Sequence, residues 1–168
     1  LISTVLTALT VGYFLGGAIA DRAPSIPVLA ATVLIASAYL LALPAFSGAI
    51  LEFVLARIDD IRTGSLCAAF AIMFFPVTLL GMYSPFAIRL LLRSPLRSGR
   101  VSGTVYAIST AGSIVGTLGT TFFLIPAIGS RAITLTLGAA GIASGLALLL
   151  YARLTRRTAV AGVCLLAA

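Results

Sequence analysis

Neither histidine nor lysine occurs in the 168 residues, and only four side chains are acidic: Asp21, Glu52, Asp59 and Asp60. Without histidine there is no Ser-His-Asp or Cys-His catalysis and no imidazole-held metal. Without lysine there is no Schiff base and no phosphate-loop lysine. Cysteine is scarce too. Cys67 and Cys164 each lie inside an apolar run with no CxxC neighbour, so neither redox chemistry nor metal ligation is indicated, and the pair says nothing of compartment. Charge of any sign makes up only 9% of residues, against roughly 25% in ordinary globular domains.

What fills the chain instead is apolar: 61% of residues are hydrophobic and the mean hydropathy is +1.20. Such a chain has too little polar surface to coat a water-facing sphere, and it reads as an integral membrane protein. All 11 basic residues are arginine, and the net charge is +7. Beside long apolar runs that excess sets topology rather than binding nucleic acid.

A span needs about 20 mostly apolar residues to cross about 30 Å of hydrocarbon. The sequence predicts spans over about 1–20, 26–43, 66–92, 101–125 and 132–151, and the opening half of a sixth over 159–168. Between the second and third, Ile50, Leu51, Val54, Leu55, Ile58 and Ile61 recur at helical spacing among Glu52, Arg57, Asp59, Asp60 and Arg62. That texture predicts a separate helix over about 47–62, lying in the membrane interface on the external side. Pro76 and Pro85 predict kinks in the third span. The first run has no basic leader and ends in Asp21-Arg22, unlike a signal peptide. A start without Met and an end inside an apolar run read as a fragment.

Arg22, Arg89, Arg93, Arg97, Arg100, Arg153, Arg156 and Arg157 follow spans one, three and five, while only Arg57, Arg62 and Arg131 fall on the opposite side. The positive-inside rule makes the first side cytoplasmic. Residue 1 then lies outside, implying at least one helix upstream.

Small residues suggest how helices meet. Gly12 and Gly16, Gly112 and Gly116, and Gly141 and Gly145 each fall on one helix face, where backbones can approach closely. Packing within the chain is the commoner use of such spacing, and a dimer face is the other. In the fourth span Tyr106, Thr110, Ser113, Thr117 and Thr120 fall within roughly 80° of one another at about 100° per residue, with Ser102 and Ser109 at the margin. Gly112, Gly116 and Gly119 form a neighbouring helix-packing face. The hydroxyl stripe either lines a polar cavity or bonds back to its own helix.

Two shorter patterns concern the cytoplasmic side. Pro85, in the stretch Gly81 to Arg89, lacks a backbone donor and loosens the carbonyls near Gly81 and Met82, and Arg89 follows one turn later. Gly17, Asp21 and Arg22 resemble the loop after the second helix of major facilitator superfamily transporters, although Ala23-Pro24-Ser25 departs from its continuation. In that family the acidic residue latches neighbouring helix ends. The resemblance implies that Asp21 meets an arginine from another loop.

Taken in order, Gly17-x-x-x-Asp21-Arg22, then Gly81-Met82-x-Ser84-Pro85-Phe86-x-x-Arg89, then Tyr106-Ala107-x-Ser109-Thr110-x-Gly112-Ser113-x-x-Gly116-Thr117, then Leu124-Ile125-Pro126-x-x-Gly129, resemble the membrane half of bacterial membrane-bound spermidine synthases. The resemblance covers nearly the whole chain, and its Tyr106 to Pro126 stretch is the specific part. It implies an all-α, polytopic membrane domain packed like half of a major facilitator bundle, in the bacterial inner membrane. It implies further a C-terminal soluble transferase domain that uses decarboxylated S-adenosylmethionine and putrescine. No catalytic or metal-binding residue is carried over to this chain. The resemblance implies a membrane module that anchors the transferase at the cytoplasmic face, with or without passing a ligand to or from it; the rival readings are a half-sized transporter that works as a homodimer and a pure anchor or assembly scaffold.

Overall fold

The computed structural model describes residues 2–58, 60–92 and 98–166, with side chains as far as Thr155. Every regular element among them is helical: α1 (Ile2–Arg22), α2 (Ile26–Leu55), α3 (Ile61–Gly81), α4 (Tyr83–Leu91), α5 (Ser98–Gly119), a π-helical turn (Thr120–Leu124) and α6 (Ile125–Leu166). Four helical stretches are long and apolar enough to cross a membrane by length and composition: Ile2–Arg22, Ile26–Leu55, Ile61–Leu91 and Ser98–Thr155.

The separate helix expected over 47–62 is not there. α2 runs without a break from Ile26 to Leu55 and carries Pro44 inside it. A proline removes one ladder bond, here to the carbonyl of Leu40, and the apolar run on both sides holds the helix through that loss. The chain turns only at Ala56–Ile58, where Arg57 and Ile58 both donate to the Val54 carbonyl. α3 then starts earlier than the predicted third span. Asp60 caps it, accepting from the Thr63 backbone N–H at 2.9 Å and from the Thr63 hydroxyl at 2.6 Å.

Pro85 breaks the third long stretch where the sequence places a kink. Gly81 loses its partner one turn on, and Met82 donates instead to Leu79, so α3 ends and α4 begins. Pro76 is accommodated inside α3. The expected gap between fourth and fifth spans narrows to one residue: Gly129, at φ 74° and ψ 163°, a left-handed conformation that favours glycine. Nor does a gap precede the expected sixth span. α6 continues through it to Leu166.

Small residues set the packing. On α1 the buried positions are Thr4, Ala8, Gly12, Gly16 and Ala20, one per turn. A Cβ at Gly12 would collide with the Thr78 carbonyl oxygen, and one at Gly16 would sit 2.7 Å from the Met82 Cα. α1 therefore runs alongside α3 and α4 in the same direction. α2 packs most extensively on α6. There Gly138 faces Leu41, Gly141 faces Ser37 and Gly145 faces Leu34, so the two run antiparallel. A core of Ala20, Leu29, Met82 and fully buried Phe86 closes one end of the bundle.

α5 stands apart. Among the described residues its contacts are with α4 and the π turn alone, and none of its residues is buried.

Candidate functional site

The patterned residues of the first long stretch, the kink and the fourth span converge beside that core. Asp21 sits on the last turn of α1 and Arg89 on α4, with Oδ1 and Nε 3.3 Å apart. Next to the pair, Tyr13, Gly17, Pro85 and Tyr106 line a cleft of about 300 Å³ between α1, α4 and α5. Each arrives for a local reason. Tyr13, Gly17 and Asp21 share one face of α1 at four-residue spacing. Pro85 opens the helix above Arg89. Tyr106 is the only member of the hydroxyl stripe to reach the cleft.

Other motif residues go elsewhere. Arg22 donates to the Ala18 carbonyl at 3.4 Å, so it serves the C-terminus of its own helix. Gly81 lies in the seam with α1, 3.4 Å from the Gly12 Cα as measured from a Cβ built on it. Arg93 and Arg97 lie outside the described residues, as do the side chains of Arg156, Arg157 and Cys164.

The stripe on α5 has no wall opposite it. Ser109, Thr110, Ser113 and Thr117 are exposed and Thr120 is half-buried. Among the described residues none of these hydroxyls bonds back to its helix, whereas Thr7, Thr10, Thr104 and Thr134 all do so four residues back. Among the described residues the hydroxyls of Ser109, Thr110, Ser113, Thr117 and Thr120 are thus left unbonded, and Tyr106 alone of the stripe lines the cleft beside Asp21. Gly112, Gly116 and Gly119, expected to pack against a helix, have nothing within 4 Å of a Cβ built on any of them. The reason is topological: among the described residues no other long helix lies beside α5.

Sequence reasoning missed Tyr39. Pro76 cannot donate to the carbonyl of Ile72, and the Tyr39 hydroxyl donates to it at 3.1 Å from α2. The ring is held between Phe46 and Phe75, with centroids 5.2 and 5.4 Å away. A tyrosine inside one apolar run and a proline inside another were the available signal.

The Asp21 end offers a carboxylate, a guanidinium and two phenols around a small cleft, but no nucleophile paired with a base. Among the described residues no group of three His, Cys, Asp or Glu side chains is placed to hold a metal. No known protein family, curated protein or solved structure matches the chain.

Proposed function

We propose that the chain is the membrane module of a spermidine synthase-like aminopropyltransferase, a multi-pass protein of the bacterial inner membrane with its Asp21–Arg89 end at the cytoplasm. What carries the reading is the convergence of Gly17, Asp21, Pro85, Arg89 and Tyr106, which belong to three separate pieces of the ordered pattern, on one cleft. The four long apolar stretches support the membrane assignment by their length and composition, and the packing is read as half of a major facilitator-like bundle.

In this reading the module anchors and positions a soluble transferase domain, whose co-substrate is decarboxylated S-adenosylmethionine. It does not hold the diamine itself. An ammonium taken from water needs an anionic partner. Asp21 is engaged by Arg89, and Glu52 and Asp60 stand at the far ends of α2 and α3. Tyr13 and Tyr106 offer ring faces but no charge.

The test uses the protein at the length its cell makes it, in isolated membranes, supplied with decarboxylated S-adenosylmethionine and labelled putrescine. Labelled spermidine is expected. Its absence removes the transferase reading. The open face of α5 favours a second reading, a half-sized transporter closed by its own copy. Proteoliposomes that accumulate labelled solute without converting it are the outcome that reading requires.

A further inference from the structure

We propose that the apolar cleft between the end of α2 and the start of α3 binds an anionic phospholipid, with the phosphate on Arg57 and an acyl chain lying down the cleft. The inference rests on the membrane reading, though not on the transferase.

The cleft holds about 660 Å³ and lies at the end of the bundle away from Asp21 and Arg89. That is within the roughly 300–1,000 Å³ of small-molecule sites. Its walls are almost wholly apolar: Phe46, Ile50 and Val54 from α2, Cys67 and Ala71 from α3, with Arg57 at the mouth. Its origin is in the side chains. Tyr39 pins α2 to α3 at Ile72 and Ala71, and the α3 residues that line the cleft are small, Cys67 and Ala71, against the large residues of α2. Small residues on α3 thus face large ones on α2, and a gap is left between them.

The dimensions favour a lipid. From Phe46 to Arg57 the chain rises about 16 Å at about 1.5 Å per residue, close to half of the roughly 30 Å hydrocarbon core. An occupant thus spans one leaflet, with its head at the level of the turn after α2.

Charge sets the head group. The Arg57 guanidinium lies 4.1 Å from the centroid of the Phe53 ring. The ring covers one face and leaves the N–H edge for an acceptor, the geometry that suits a phosphate. Among the described residues no carboxylate pairs with Arg57. Glu52 falls roughly 150° around α2 from the cleft-facing residues at about 100° per residue. Asp60 is turned to the Thr63 N–H and hydroxyl. Among the described residues lining this mouth there is no carboxylate to receive the cation of a zwitterionic head.

Cys67 is exposed and on the cleft wall, so it reports occupancy. The full chain carrying Cys164→Ser is reconstituted into vesicles of phosphatidylcholine alone or with a minority of phosphatidylglycerol, and N-ethylmaleimide labelling of Cys67 is timed. Phosphatidylglycerol is expected to slow labelling several-fold, and Arg57→Gln to abolish that difference while Arg57→Lys keeps part of it. Equal rates in the two vesicles overturn the proposal. So does equal slowing in Arg57→Gln, which would mark a general effect of surface charge. Protection by oleate in phosphatidylcholine vesicles, with none from phosphatidylglycerol, assigns the cleft to a free acid and overturns the lipid. Retention of the protein through an alkaline carbonate wash tests the membrane reading separately. Native mass spectrometry should show one phosphatidylglycerol more tightly held by the parent than by Arg57→Gln.

Discussion

Asp21 and Arg89, 68 positions apart in the chain, meet with 3.3 Å between Oδ1 and Nε and tie the end of α1 to α4. The tie is possible because Gly12 and Gly16 bring the α1 backbone against Thr78, Gly81 and Met82 one and two turns earlier. Backbone contact sets the register, and the ion pair closes it.

The pair is half open to solvent, with Arg89 at 45% and Asp21 at 74% side-chain exposure. Exposed ion pairs contribute about 0.2–1 kcal/mol, and salt weakens them. A double-mutant cycle with Asp21→Asn and Arg89→Gln, read by unfolding in detergent, should give a coupling in the lower part of that range that shrinks as salt rises. A larger coupling that salt leaves unchanged would mean that both groups are shielded in the bilayer.

The two kinds of glycine should respond in opposite ways to one added methyl. Gly12→Ala drives its Cβ into the Thr78 carbonyl oxygen and should cost about 1–3 kcal/mol through overpacking. Gly116→Ala meets nothing within 4 Å and should gain up to about 1 kcal/mol of helix propensity. Detergent melting of the two variants decides it. If Gly116→Ala is as costly as Gly12→Ala, another helix covers α5 in the assembled protein.

The three glycine pairs differ in what their spacing encodes. Gly12 with Gly16 and Gly141 with Gly145 stand out by spacing, and both pack within the chain. Gly112 with Gly116 has the same spacing, and among the described residues a Cβ built on either meets nothing within 4 Å. Periodicity tells which residues share a face, while the partner of that face is a long-range fact. The full α1 seam from Thr4 to Ala20 was there to be seen as small residues at every fourth position. The expected end of the second span near residue 43 differs from the structure for another reason: α2 carries Pro44 inside it, and one missing bond does not end a helix whose apolar run continues. At the Asp21–Arg89 end the motif members are legible singly. Their meeting depends on how α1, α4 and α5 are arranged, which no local pattern encodes.

Asp60 should make stability depend on pH. The Thr63 hydroxyl first, and then its backbone N–H, hold the carboxylate below its ordinary pKa. A lowered folded-state pKa means that the stabilisation is fully present above the unfolded value of about 3.9 and is lost as pH falls through the lower folded value. Asp60→Asn keeps a neutral cap and lacks this dependence. Melting curves taken from neutral pH downward should show the parent losing its advantage over Asp60→Asn at acid pH. A difference that stays constant across the range would show that the charge contributes nothing to the cap.

Tyr39 and Pro76 should be coupled through a carbonyl that belongs to neither. Pro76 leaves the Ile72 oxygen without its helical donor, and the Tyr39 hydroxyl takes that place at 3.1 Å. Removing the hydroxyl alone, in Tyr39→Phe, strands the acceptor while leaving the ring contacts with Phe46 and Phe75 in place. The expected cost is about 0.5–1.5 kcal/mol, that of one hydrogen bond. In a Pro76→Ala background residue 76 regains an N–H, the helix satisfies Ile72 by itself, and the hydroxyl becomes redundant. Tyr39→Phe should then cost close to nothing. Unfolding of the four proteins of this cycle, parent, two single variants and the double, measures the difference directly. A cost of Tyr39→Phe that is the same with proline and with alanine at position 76 would show that the phenol acts through packing alone, and that the proline-freed carbonyl is satisfied in some other way.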